Sequence, residues 1–213
     1  MNSNEIVYDN IKLSEITKIG NKLYISYLKY KTEDNRKKLV IKTPKLLSPF
    51  GLTNFKNEDV KPDLQDNYSM QFFINNNQFE NTLMNIQNRI IECLKEHKKV
   101  SKFIDFDNFE FKSVISSTED YDKLIRFKLQ KDKKTIDRPK TKIMDTKKNK
   151  IDMTFSDLST LLINNTEMKM LIHISHVWFN KTQAGITIKL ISGIVYPKET
   201  INGFTFLDSD SEE

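Results

Sequence analysis

Apolar and polar residues alternate along several segments of the chain, the pattern of β-strands with one buried face. The alternation is clear over residues 22–31 (KLYISYLKYK) and in two longer segments near the C-terminus, 167–179 and 184–196. Shorter strands, rich in β-branched and aromatic residues, are predicted at 39–42, 68–74 and 124–130. We therefore expect a protein built mainly from antiparallel strands.

One segment in the middle of the chain follows the helical period instead. Its apolar residues recur three or four positions apart, as in an amphipathic helix: Phe79, Leu83, Ile86, Ile90 and Leu94. Asn77, followed three residues later by Glu80, predicts the N-terminal cap. The lysine-rich stretch 95–99 predicts the C-terminal end of the helix, because cations there interact favourably with the helix dipole. One long helix is thus predicted between the strands.

The remaining segments predict smaller elements. Pro44, Pro49 and Gly51 interrupt TPKLLSPFGL, which indicates an ordered loop packed on the body of the protein. The pattern over 101–122 leaves the structure undecided. A basic hairpin is predicted around TKIMDTKKNK, and one capped helical turn at 156–162. This order of elements predicts an α+β, mostly β fold that closes as a small barrel.

Positive charge is concentrated in one part of the chain. The formal net charge is +5, yet residues 123–150 hold 12 lysines and arginines against 3 acids, and the other residues hold 22 against 26. The last seven residues, LDSDSEE, contain four acids and no base. A tail of this composition is typical of solvated, disordered chain.

Other features bear on location and chemistry. No apolar run approaches the roughly 20 residues of a membrane-spanning helix, and MNSNEIVYDN does not resemble a signal peptide. Cys93 is the only cysteine, so we expect a reducing, intracellular location. The three histidines and five glycines form no metal, phosphate-loop or nucleophile motif. We expect no metal, no cofactor and no enzymatic activity.

Basic and aromatic residues share the predicted strands. Single-strand binders need cations that replace the counterions of phosphates and flat rings on which bases stack. Both kinds of residue are present, the aromatics being Tyr24, Tyr27, Tyr30, Phe72, Phe73 and Trp178. Strand aromatics also fill cores, and lysine-rich hairpins also serve as solvated edges. Composition therefore leaves nucleic-acid binding and a purely structural role both open.

The C-terminal hairpin carries a resemblance to a known family. MKMLIHISHVWFNKTQAGITIKLISGIVY places a Trp-Phe pair at the end of one strand, then a polar turn, then Ala-Gly at the start of the next strand. This pattern resembles the closing hairpin of the viral single-stranded-DNA-binding proteins of short-tailed phages and large nucleocytoplasmic DNA viruses. VIKTPKLLSPFGL is similar to a signature of the viral branch, and NYSMQFFI and LIRFKLQKDKK follow in the same order.

The resemblance implies a specific architecture. It implies an OB-fold-like, five-stranded antiparallel barrel with one inserted helix, formed by residues 1–200, and a disordered acidic tail over 201–213. Two features depart from the family pattern. The tail is shorter than in the phage branch and ends in Glu212-Glu213 instead of an aromatic residue, and the turn after the Trp-Phe pair is not of the Gly-Lys-Phe-Gly type.

Together with the strand positions and the charge pattern, the resemblance leads to a hypothesis on which residues meet DNA. Trp178 would stack on a base at the mouth of the barrel, and His176 would share its face. Phosphate contacts are expected from Lys181, Lys189, Arg126, Lys128, Lys140 and Lys142, with Tyr30, Lys31 and Lys45 as weaker candidates. Partner binding is expected from tail residues Phe206, Asp208, Asp210, Glu212 and Glu213.

The function that follows is sequence-tolerant binding of single-stranded DNA in viral replication, recombination or repair. The expected partners are single-stranded DNA, a viral DNA polymerase or helicase that the tail contacts, and a second copy of the chain in a homodimer. The expected location is the host cytoplasm or nucleus. A virion structural or scaffold protein and an RNA- or duplex-binding accessory factor remain as alternatives.

Overall fold

The computed structural model describes residues 6–20, 22–31, 36–56, 66–117, 123–132, 135 and 137–196. These residues form one mixed β-sheet and two α-helices, α1 (Asn77–Glu96) and α2 (Phe155–Leu161). The strands are β1 (Ile11–Lys18), β2 (Tyr24–Lys31), β3 (Arg36–Lys37), β4 (Val40–Ser48), β5 (Leu52–Lys56), β6 (Asp66–Phe73), β7 (Glu110–Lys112), β8 (Ile115–Ser116), β9 (Leu124–Leu129), β10 (Lys142–Met144), β11 (Lys150–Ile151), β12 (Thr166–Phe179) and β13 (Gln183–Tyr196). Neither helix is long and apolar enough to cross a membrane.

Two long strands form the centre of the sheet. β12 and β13 pair antiparallel over their whole length, and residues 180–182 connect them. The other edge of β12 pairs antiparallel with β4 over its first half and with β2 over its last four residues. The other edge of β13 pairs in parallel with β7, β9 and β10 in turn. The two strands therefore hold both halves of the sheet together.

The path of paired strands runs β1-β2-β12-β13-β9-β6-β5. In the part of the chain that the structure describes, its two end strands do not pair with each other, so the sheet is open. The mostly β, α+β character and the single long helix inserted midway are confirmed. The expected five antiparallel strands need correction, because the described residues form 13 strands and β13 makes three parallel pairings. Short-range patterns do not reveal these pairings, because the paired segments are distant in sequence.

Helix α1 packs its apolar stripe against the inner side of the sheet. The five residues predicted from periodicity are all buried, and the Cys93 thiol donates a hydrogen bond to the Ile11 carbonyl of β1 at 3.3 Å. The N-terminal cap is Asn76 and not Asn77: its side-chain oxygen accepts a hydrogen bond from the Phe79 N–H at 2.8 Å. The helix thus covers the core on one side, and neither described helix contributes a residue to the opposite face of the sheet described below.

The segment predicted as a loop is mostly strand β4. Pro44 is accommodated because the register against β12 shifts there, with Leu171 opposite Lys42 and Lys169 opposite Lys45. Thr43 fills the gap in the ladder, since its hydroxyl accepts a hydrogen bond from the Met170 N–H at 2.9 Å. A proline in a strand thus marks an irregular position, and it does not end the strand here.

Gly51 ends the bend between β4 and β5. Its φ is +66°, and a Cβ there would lie 2.4 Å from the Leu162 carbonyl oxygen, which accepts a hydrogen bond from the Leu52 N–H at 2.7 Å. Since β4 pairs with β12 while β5 pairs only with β6 among the described strands, the bend sends consecutive strands to distant parts of the sheet. The sheet curls around its core as a result.

Other local predictions are confirmed within a few residues. These are the strand over 124–130, the basic hairpin of β10 and β11, and the helical turn that Thr154 caps as part of a capping box. Of the undecided stretch 101–122, residues 101–117 are described, and they contain two short 3-10 turns and strands β7 and β8. The acidic tail, 201–213, lies outside the described residues, and so do its five predicted partner-binding residues.

Candidate functional site

The outer face of the sheet, the face turned away from the core, carries a row of side chains from six strands. The registers place these residues directly opposite one another: Val40, His173, Lys189, Lys128, Ser69 and Thr53. Directly paired residues point to the same face of a sheet. The row, called the central row below, therefore crosses β4, β12, β13, β9, β6 and β5 as one continuous surface.

A bulge in β12 adds two further predicted residues to this face. Strict alternation would turn His173 and His176 to opposite faces. The register against β13 shifts between Ile174 and His176, so Ser175 is the extra residue. His176 then pairs with Thr187 and Trp178 with Gly185, on the same side as the central row. The bulge thus unites both histidines and the tryptophan on one surface.

The histidines on this surface are neutral at pH 7. Burial first, then the charges of Lys38 and Lys189, lowers the pKa of His173 to about 4. Burial, followed by Lys189 and other neighbouring cations, lowers the pKa of His176 to about 4. Both rings are half-buried between positively charged side chains. A negative charge placed nearby would favour their protonated forms.

The lysines on this surface lie close enough to repel one another. Partial desolvation and Arg126 lower the pKa of Lys128. Desolvation and the charges of Lys128, Lys140 and Lys38 lower the pKa of Lys189.

We call these five residues the cation cluster: Lys38, Arg126, Lys128, Lys140 and Lys189. None of the five forms a salt bridge with another described residue. Within the described part of the chain the cluster is therefore positive charge without a paired acid, and such charge attracts anions.

Aromatic rings flank the cation cluster on two sides. The Trp178 indole lies across Gly185, because a Cβ on Gly185 would be only 2.6 Å from its Cζ2 atom. Tyr27, 49% exposed, contacts His176 edge-on with ring centroids 5.7 Å apart. On the other side, the Arg126 guanidinium lies 5.5 Å from the centroid of the Phe55 ring, which is 59% exposed. Exposed π-surface and cations thus alternate across the sheet.

The structure brings together most of the predicted DNA-binding residues. Trp178, His176, Lys189, Arg126 and Lys128 lie on the outer face, as the registers show. Lys140 lies near Lys189, whose pKa it affects. Lys142 lies opposite Ser192, Ser192 opposite Leu171, and Leu171 opposite Lys42. These four residues form a row next to the central row.

Four predicted residues lie elsewhere or are already engaged. The prediction for Tyr30 is wrong. Its side chain is 3% exposed, and its hydroxyl accepts a hydrogen bond from the Val7 N–H at 2.9 Å, so the ring cannot stack on a base. Lys45 forms a salt bridge with Glu167 at 2.7 Å. Lys31 is exposed at the end of β2. Lys181 lines a separate cavity of about 360 Å³ beside Phe103.

Sequence reasoning missed four residues of this surface. His173, Tyr27, Lys38 and Phe55 were not among the predicted DNA contacts, although Tyr27 was noted among the strand aromatics. Alternation in β2 places Tyr27 on the opposite face from Tyr24 and Tyr30, so the sequence pattern could have identified Tyr27 as a surface residue. The position of His173 depends on the Ser175 bulge, and that of Phe55 on the pairing of β5 with β6. Neither has a local signature.

Comparisons with known proteins show a likeness of fold. No protein-family model matches the sequence, and no curated protein matches it either. Among solved structures, the fold is similar to that of the single-stranded DNA-binding protein from bacteriophage Enc34 in complex with ssDNA. The TM-score is 0.50 at 13% sequence identity, and the match covers 92% of this chain and 99% of that chain.

Proposed function

We propose that this protein binds single-stranded DNA across the outer face of its sheet, with little dependence on sequence. The cation cluster carries this proposal. Arg126 and Lys128 on β9 and Lys189 on the neighbouring β13 lie close together, with Lys38 and Lys140 near Lys189. No described acid forms an ion pair with them, so a phosphate backbone is the natural counter-charge. The two neutral histidines supply further contacts that strengthen once a phosphate is bound.

The exposed rings favour a single strand over a duplex. Bases in a duplex are stacked on one another, whereas the bases of a single strand are free to stack on protein side chains. Trp178 and Tyr27 lie on one side of the cation cluster and Phe55 on the other. A single strand that crosses the central row would meet rings and cations in turn. The contacts involve phosphates and ring faces, which every sequence offers.

The biological context in this proposal is viral replication, recombination or repair. The fold likeness to a phage protein whose structure contains ssDNA supports it, as do the C-terminal hairpin and the order of segments noted in the sequence. The curled sheet with one inserted helix would then be a widened OB-fold barrel, and binding without catalysis would be its role. Recruitment of a polymerase or helicase by the acidic tail, and a homodimer, belong to the same proposal.

Intrinsic fluorescence gives a direct test, because Trp178 is the only tryptophan. Oligo-dT would be titrated into the full chain at two salt concentrations. We expect strong quenching and binding that weakens as salt rises. Lys189→Met should reduce affinity severalfold, whereas Lys95→Met, which removes an exposed cation from the far helix α1, should not.

Competitors separate the alternatives. Duplex DNA and single-stranded RNA of the same length should displace labelled oligo-dT much less effectively than unlabelled oligo-dT. Equal displacement by duplex or RNA would favour the accessory-factor alternative. No retention of any nucleic acid at moderate salt, together with a defined higher oligomer, would contradict the proposal and favour a structural or scaffold protein.

A further inference from the structure

A gap in the sheet lies directly beside the proposed DNA path. On its second edge, β13 pairs with β7 up to Gly185 and with β9 from Lys189 onward. Residues 186–188 have no strand partner on that edge among the described residues. The gap opens into a cavity of about 420 Å³, within the size range of small-molecule sites.

The cavity has an apolar floor and a polar rim. Ile186, Ile188, Val114 and Ile115 line it with aliphatic carbon. The polar residues are Gln71, Lys112, Ser113, Ser116 and Arg126. Gln71 and Arg126 are directly opposite each other on β6 and β9, so both belong to the outer face. This combination suits a flat heteroaromatic ring with polar edges.

The polar rim has free hydrogen-bonding capacity. Neither the Gln71 carboxamide nor the Arg126 guanidinium has a hydrogen-bond partner among the described residues, although Arg126 stacks on Phe55. Lys112 is already paired with Glu110 at 2.7 Å. Arg126 and Gln71 thus line the cavity without a hydrogen bond to any described residue.

The cavity also adjoins the ring expected to stack on DNA. Trp178, Gly185 and Lys112 are consecutive partners across β12, β13 and β7. Because the indole lies across Gly185, it reaches over β13 toward the cavity on the other side of that strand. The distance from a nucleotide stacked near Trp178 to the cavity would be about one strand spacing, about 5 Å.

We infer that this cavity is a nucleobase pocket, which accepts one base of the bound strand and prefers guanine. This inference rests on the proposed function. Guanine presents two adjacent acceptors, O6 and N7, and arginine recognises this edge with two parallel N–H donors. The Gln71 carboxamide supplies both a donor and an acceptor for the remaining edge. The protein would be tolerant of sequence along most of its path and selective at one position.

Oligonucleotides with a single substitution test the pocket. The affinity of dT15 is compared with that of the same oligonucleotide carrying one central dG, and with one carrying 7-deaza-dG, which lacks the N7 acceptor. We expect the dG oligonucleotide to bind at least about fivefold more tightly than dT15, the low end of the discrimination given by one bidentate contact. The 7-deaza substitution should remove most of this gain.

The ratio of the dG and dT15 affinities is the readout for variants, since it cancels any general loss of binding. Arg126→Lys and Gln71→Met should bring the ratio close to one. Lys142→Met, which removes a cation from the adjacent row, should weaken both oligonucleotides and leave the ratio unchanged.

Two failures are distinguishable. Tight binding of dT15 with a ratio of one in the native protein would overturn the pocket and leave the proposed function intact. Failure to bind any of the three oligonucleotides would overturn both.

Discussion

At the scale of single residues, the site depends on where one indole ring and two imidazoles are held. Trp178 lies against the main chain of Gly185, and burial, together with neighbouring lysines, lowers the pKa values of His173 and His176 to about 4. These positions make the indole a fixed surface and the histidines responsive to a bound anion. Each property leads to a test at this scale.

Gly185→Ala should move the indole without removing it. The new Cβ would overlap the ring at 2.6 Å, so the ring must rotate. We expect a shift in the Trp178 emission maximum and an affinity for oligo-dT reduced by about five- to tenfold, within the ~1–3 kcal/mol attributed to one stacked base. Trp178→Ala should have an effect at least as large. If Gly185→Ala binds like the native protein, the indole does not contact DNA.

The two histidines should make DNA binding stronger at lower pH. Bound phosphate favours the charged imidazole, so the pKa values of His173 and His176 rise on binding and protons are taken up. Affinity for oligo-dT should therefore increase as the pH is lowered from 7 to 5. Measurements across this range with a His173→Gln, His176→Gln double variant provide the control, which should show a flatter profile. A native profile as flat as that of the variant would contradict the expectation.

The same pKa values predict the opposite trend for the stability of the free protein. Between pH 6.5 and about 4 the unfolded chain binds protons at these histidines and the folded protein does not. Their contribution to stability is therefore complete above pH 6.5 and is lost as the pH falls toward 4. Thermal unfolding should show a decreasing midpoint over this window, less marked in the double variant.

At the scale of elements, bends and bulges determine which partner each regular strand pairs with. The clearest example is Gly51, where a positive φ and a close carbonyl group coincide at the junction of β4 and β5. Gly51→Ala should destabilise the fold by at least ~1–2 kcal/mol, the cost of a left-handed conformation for a residue with a Cβ, with the steric overlap adding to it. Chemical denaturation measures this free energy.

Gly20→Ala is the matched control for that substitution. A Cβ on Gly20 would meet only the Leu23 Cβ, at an ordinary distance of 3.7 Å, and its φ is not in the left-handed region. We expect its unfolding midpoint to stay close to that of the native protein. Equal unfolding free energies for the two variants would show that the bend tolerates a side chain.

The longest elements could be predicted from the sequence, because each has a clear local period, whereas β1, β5 and most of β4 were not predicted. Alternation was sufficient for β12 and β13, and the apolar stripe for α1. The cap was misplaced by one residue, since both Asn76 and Asn77 are good caps and only backbone geometry distinguishes them. The parallel partners of β13 could not be predicted, because they lie up to about 75 residues away in sequence.

The composition of the site was predicted better than its geometry. Charge and ring content identified the strands that supply it, but alternation alone does not say which parity faces the core. Tyr30 was expected to contact DNA and lies in the core, three residues along β2 from Tyr27, which is exposed. The union of His173 with His176 depends on one extra residue, Ser175, which no local pattern reveals.

At the scale of the whole molecule, the cation cluster lies on one face of the sheet. Helix α1 covers the inner side of the sheet, while the cation cluster occupies the outer face without described acids paired to it. The effect of salt on DNA binding should therefore come mainly from this one face. Each phosphate contact with a single strand contributes about 0.7 to the slope of log K against log salt concentration.

A Lys128→Met, Lys189→Met double variant should reduce that slope by about 1.4, two contacts' worth. The slope is obtained from oligo-dT titrations at four or more salt concentrations. Lys95→Met serves again as the control and should leave the slope unchanged. An unaltered slope in the double variant would place the phosphate path on another surface.

The arrangement of β12 and β13 also has a consequence for biosynthesis. These strands are the last of the described residues, and β2, β4, β7, β9 and β10 all pair with one or the other. While the ribosome still holds residues 166–196, those earlier strands have unpaired edges, and only pairings among themselves, such as β1-β2 and β6-β9, can form. We therefore expect the sheet to be completed only once β12 and β13 have left the ribosome, and slowly, because most of its contacts are distant in sequence. Until then, the unpaired strand edges of each nascent chain are exposed to aggregation.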